Sequence, residues 1–129
     1  MTELEVNHTL DVTARITQLL LLRDGWLDGE GLAPAHSGLG WFANAWQSHW
    51  PPELPLPHLY PTPSGGLEAE STMGDASISV EIDLATRQAS LLVVNTHSGD
   101  IGTDQIINLA LDGGWNTMAE CLRTAKTSQ

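Results

Sequence analysis

Cys121 is the only cysteine in the chain, so no intrachain disulfide forms and no multi-thiolate metal site can be built within one copy. Basic residues are scarce too: five Lys and Arg stand against sixteen Asp and Glu, for a formal net charge of -11. That field repels phosphate backbones and anionic headgroups, and no basic run offers a local exception, so neither nucleic acid nor a membrane is expected as a partner. A basic protein partner suits the same field. Long apolar runs are also missing. Leu19 to Leu22 is far too short to cross a bilayer, and MTELEVNHTL lacks the basic stretch and apolar core of a secretion signal, which makes the cytoplasm the expected location.

The motifs of common catalytic and nucleotide-binding sites are absent as well. The chain has no G-x-S-x-G elbow, no G-x-x-x-x-G-K-[ST] loop and no G-x-G-x-x-G following a strand. His8, His36, His49, His58 and His97 include no H-E-x-x-H pair, and Asp24, Asp28 and Glu30 lack the spacing of a calcium loop. No metal, cofactor or catalytic residue is therefore expected. His97, Ser98 and Asp100 lie together in THSGD, but neighbours so close in sequence read as turn hydrogen bonds, since triad members come from separate elements.

What the chain does contain is alternation. Ile78, Val80, Ile82 and Leu84 alternate with Ser77, Ser79, Glu81 and Asp83, the period of a strand with one face in a core and one in water. Leu67 to Ser71 and Ala89 to Asn95 read as its neighbours, and Ile101 to Ala110 reads better as a fourth strand than as a helix. Leu91 and Val93 oppose Leu92 and Val94, so the Ala89 to Asn95 strand is expected to be covered on both sides.

Helical spacing brackets this sheet. Val12, Ile16, Leu19 and Leu20 mark a helix from Leu10 to Arg23, widened by Leu21 and Leu22, and Leu39, Phe42, Ala43, Trp46 and Trp50 mark a second from residue 37 to 50, with Ser37 as N-cap. Leu111, Trp115, Met118 and Leu122 mark a closing helix to about Arg123. Between the first two helices lies the Gly-rich loop Gly25 to Gly38. Pro51 to Pro63 holds six prolines and reads as an extended crossover with polyproline character. Much of the aromatic burial falls to five tryptophans, whose indole N–H groups need acceptors when buried.

The expected fold is thus α+β: two N-terminal helices, an antiparallel meander of three or four strands, and a C-terminal helix packed on the sheet. Residues 1–129 read as one domain with frayed ends at about 1–7 and 124–129. Sheet edges, the doubly apolar strand and the wide helix stripes favour a homodimer.

Two surfaces are candidates for function. Glu68 and Glu70 share one face of their strand, Glu81 and Asp83 one face of the next, and a hairpin can bring the pairs together as a partner surface. Trp26, Trp41 and His97, with the Gly-rich loop, could line a pocket or an interface. Cys121, on a helix, reads as an inert thiol.

DGWLDGEGLAP at Asp24 to Pro34 and LPLPHLYPTPSGGLEAES at Leu54 to Ser71 carry a resemblance. The chain resembles, over roughly residues 20 to 95, small bacterial proteins of unknown activity that have a D-G-W loop ending in G-x-G-x-x-P and a P-T-P-x-G-G-x-x-x-E lead-in to a hairpin. It departs from them at Ser71, where an aromatic often follows the glutamate. The resemblance implies an accessory role and supplies no catalytic positions. The expectation is a non-enzymatic, protein-binding accessory module, antitoxin-like in kind, with a small-molecule-binding protein or small enzyme, or a structural subunit of an assembly, as alternatives.

Overall fold

The computed structural model describes residues 12–50, 54, 56–111 and 113–127; the ends expected to fray at 1–7, the helix start at Leu10 and Pro51 and Pro52 lie outside them. The elements run α1 (Val12–Leu19), α2 (His36–His49), β1 (His58–Pro61), β2 (Leu67–Met73), β3 (Ala76–Asp83), β4 (Gln88–Asn95), β5 (Ile101–Asn108) and α3 (Gly114–Thr127). This is the α+β arrangement the patterning predicts. All five strands pair antiparallel with their chain neighbours, in the order β1-β2-β3-β4-β5.

The fifth strand corrects the expected count of three or four. The proline segment was expected as a crossover, yet His58 to Pro61 pairs with Leu67 to Glu70 as an edge strand. An edge is where proline is tolerated, because its missing N–H can face away from the ladder.

Cross-strand rows explain the core. Leu67, Ile82, Ala89 and Ile107 stand in register on the covered face, as do Leu59, Ala69, Val80 and Leu91, and all eight are buried. Against them pack Val12, Ile16 and Leu19 of α1, Leu39, Phe42 and Trp46 of α2, and Trp115, Met118 and Leu122 of α3. Each fully buried large side chain contributes about 1.5–3 kcal/mol relative to exposure, so the helices are held by this face.

Several boundaries differ from the sequence reading for local reasons. α1 stops at Leu19 instead of Arg23: Leu21 N–H donates to Gln18 O and Leu22 N–H to Leu19 O, a tightening that turns the chain out and leaves Leu21 77% exposed. α2 starts at His36 with Ala35 as N-cap, so Ser37 lies inside the helix. Leu111 is exposed ahead of α3, and the helix runs four residues past Arg123, with Ala125 buried.

The predicted double cover of the Ala89 to Asn95 strand is not present within one copy. Leu91 and Val93 are buried, while Leu92 is 36% exposed and Val94 half-buried, because all three helices lie on the other face. The indoles also divide. Trp26 Nε1 donates to Leu32 O at 2.8 Å, but Nε1 of Trp50 and of Trp115 are buried without an acceptor among the described residues. Phe42, Trp46, Trp50 and Trp115 surround one another, and rings offer little to accept an N–H.

Candidate functional site

The uncovered face of the sheet carries two rows of side chains. One runs Tyr60, Glu68, Glu81, Ser90, Ile106 from β1 to β5, and the next runs His58, Glu70, Ser79, Leu92, Asp104. The face is therefore divided, with carboxylates concentrated on β2 and β3 and aliphatic side chains on β4 and β5. Register comes from the two-residue turn Gly74-Asp75, in which Gly74 takes φ 61.

Of the four acidic candidates, Glu68 and Glu81 are direct cross-strand partners, with Glu70 next along the same face. Like charges so placed repel. Glu68 responds: its carboxyl is pushed above the ordinary glutamate range, first by a side-chain hydrogen bond with Glu70, then by desolvation and by the charges of Glu70 and Glu81. Asp83 has a different task. It pairs in register with Gln88, and its Oδ1 accepts the N–H groups of Ala85 at 2.9 Å and Thr86 at 3.2 Å, which builds the turn into β4.

At this end of the sheet lies a groove of about 720 Å³. Its floor includes Glu81, Asp83, Ser90 and Ile106 of the open face, and its walls are the Leu32–Ala35 stretch and the turn Ser64–Gly66. The walls are held by bonds from backbone N–H groups to backbone and side-chain oxygens. Leu32 N–H donates to Pro63 O, Gly66 N–H donates to Thr62 Oγ1 at 2.9 Å, and Ala33 N–H donates to Asp24 Oδ1 at 2.9 Å. The Gly-rich loop is ordered by the same means: Gly25 N–H reaches Gly31 O, and Leu27 and Glu30 exchange two bonds. Gly25, Gly29 and Gly31 all take positive φ there, as only glycine does at little cost.

Trp26, Trp41 and His97 are not brought together. Trp26 closes on its own loop through Leu32. Trp41 stands on α2 against Phe42 and Trp115, with the Arg87 guanidinium 5.0 Å above its ring. His97 lies in the turn after β4, whereas Arg87 precedes that strand, so eight residues of β4, about 25 Å, separate the two ends. There His97 Nε2 sits 3.0 Å from Asp75 Oδ1, while Asn95 Oδ1 accepts the N–H groups of His97 and Ser98. THSGD is thus a turn held by Asn95 and tied to the β2–β3 turn, where Thr96 N–H and Oγ1 both donate to Asp75 O.

Arg87, Ser90 and Ile106 entered the groove unannounced by any motif. The signal that locates it is P-T-P-S-G-G, whose Thr62 and Gly66 make the buried bond that shapes one wall. Cys121 donates its thiol to Gln105 Oε1 at 3.7 Å, and its pKa is raised by burial and then by Glu120. Among the described residues, no group of three or more His, Cys, Asp or Glu is placed to hold a metal ion, and no helix is long and apolar enough to cross a membrane. No family model matches the chain, and no curated protein or solved structure matches it.

Proposed function

We propose that the chain is a non-enzymatic accessory module that binds a basic protein segment across the open face of its sheet and into the groove at the sheet's end. The observation that carries the reading is the row Tyr60, Glu68, Glu81, Ser90: two carboxylates directly opposed, a third beside them, and no cation at either flanking register position. A lysine or arginine brought between these groups relieves their repulsion and gains charge-assisted hydrogen bonds. The Tyr60 ring, exposed beside Glu68, adds a face on which a cation can rest. Leu92, Val94 and Ile106 supply the apolar contact that a purely acidic patch lacks.

The test is affinity capture from the protein's own cells, comparing the native chain with the triple variant Glu68→Gln, Glu70→Gln, Glu81→Gln. A stoichiometric basic partner retained by the native chain and lost from the variant supports the reading. Equal recovery of every partner by both proteins removes it. A small-molecule ligand in the groove is the second reading, favoured by the groove's 720 Å³, a volume within the range of small-molecule sites. Thermal stabilisation by a compound, abolished when Ser90 is replaced by Trp, distinguishes it.

A further inference from the structure

The two edges of the sheet are not alike. β1 is four residues long, follows Pro57 and ends in Pro61, and has its Leu59 carbonyl taken by Arg15 Nε at 2.8 Å. That edge is closed by the devices that keep edge strands from pairing. β5 is less defended: it has eight residues, IGTDQIIN, without proline or lysine, with Asp104 as its one charge and a bulge at Gly102 near its start. Ile101 and Ile106 are 63% and 68% exposed.

The phase of the ladder shows what this edge offers. Leu109 N–H donates to Arg87 O in continuation of the β4–β5 pairing, and hydrogen-bonded pairs alternate along antiparallel strands. Ile107 and Gln105 therefore spend their backbone groups on β4, while Ile106 and Asp104 turn theirs outward. The far end is shut, because Gly114 at the start of α3 is packed against the Asn108 carbonyl so closely that a Cβ there would overlap it.

From this asymmetry we infer that β5 pairs antiparallel with β5 of a second copy, joining two five-stranded sheets into one of ten. Charge decides the occupant. The strand is nearly neutral, which fits a strand of equal neutrality, and a basic segment is drawn instead to β2 and β3. With strands about 4.8 Å apart, Glu81 lies about 12 Å from such a seam and about 24 Å from its mate, beyond the Debye length of about 8 Å, so the acids of β2 and β3 repel weakly across it and Asp104 is the strand's own charge there. A register that sets Asp104 against Asp104 is disfavoured by direct repulsion, and the next one in phase sets Ile106 beside the partner's Asp104. Ile106 belongs both to this seam and to the face proposed for a basic partner, so the pairing is tested with the chain alone.

The experiment uses the purified full chain alone: light scattering for mass, and amide hydrogen exchange read at Asp104 and Ile106. The expected result is a dimer in which both outward amides exchange at least tenfold more slowly than at dilutions where the chain is monomeric. Ile106→Pro, which removes the outward N–H of that residue and leaves the Gln105 and Ile107 bonds to β4, returns the mass to monomer and Asp104 to fast exchange. A chain that stays monomeric at millimolar concentration overturns the inference. So does a dimer in which Asp104 and Ile106 exchange freely, or protection that appears only when a foreign strand is added.

Discussion

Glu68 on β2 stands directly across the ladder from Glu81 on β3, and the Glu68 carboxyl titrates above the ordinary glutamate range as a result of its contact with Glu70, its desolvation and these neighbouring charges. The native state therefore takes up a proton there more readily than the unfolded chain. The contribution of this group to stability is fully present below the ordinary glutamate value of about 4.3 and is lost as pH rises through the native value. Glu68→Gln is expected to raise the thermal midpoint at pH 7 and to flatten its decline between about pH 4 and 7. Melting curves across that range check it; an unchanged slope would count against the shared proton.

Two glycines of α2 give opposite expectations. A Cβ on Gly38 would fall 2.6 Å from the Leu84 Cβ, while one on Gly40 meets nothing within 4 Å. Gly38→Ala is expected to destabilise by about 1–3 kcal/mol through forced displacement of α2 from the β3–β4 turn. Gly40→Ala is expected to stabilise by about 0.5–1 kcal/mol through lost chain entropy. Urea denaturation of the two variants measures both signs.

Thr62 is buried, and its hydroxyl accepts the buried Gly66 N–H. Replacing it with Val keeps the shape and orphans the N–H, for an expected loss of about 1–3 kcal/mol, whereas Thr62→Ser should lose markedly less. Equal losses in chemical denaturation would assign the effect to the methyl group instead.

Cys121 should alkylate slowly. Burial and the charge of Glu120 both raise its pKa, so less thiolate is present at neutral pH than in a free thiol, and iodoacetamide modification should lag behind that of a small-molecule thiol with its rate rising at higher pH. Glu120→Gln is expected to move that rise back only in part, since burial is the larger cause.

How much of this was legible depended on length and on layers. β3 shows four full alternations, so its faces and those of β2 could be read directly, together with which acids share them. β1 is four residues with Leu59 alone turned inward, too short to display a period inside a proline-rich stretch. The opposition of Glu68 and Glu81 required the turn to be placed at Gly74-Asp75 to the residue, because register follows from turn length. The apolar side chains of Leu92 and Val94 predicted a second cover that the described residues do not supply, since alternation reports the character of a face and not what rests on it. Trp41 and His97 seemed groupable only while the ends of β4 were unassigned.

Pro57 before β1 and Pro61 at its end have a consequence for assembly size. A sheet open on both sides adds copies without limit, as fibrils do, whereas a sheet capped on one side is a chain terminator. If two β5 edges meet as proposed, both outward ends of the joined sheet would be short strands ending in proline, and growth would stop at two.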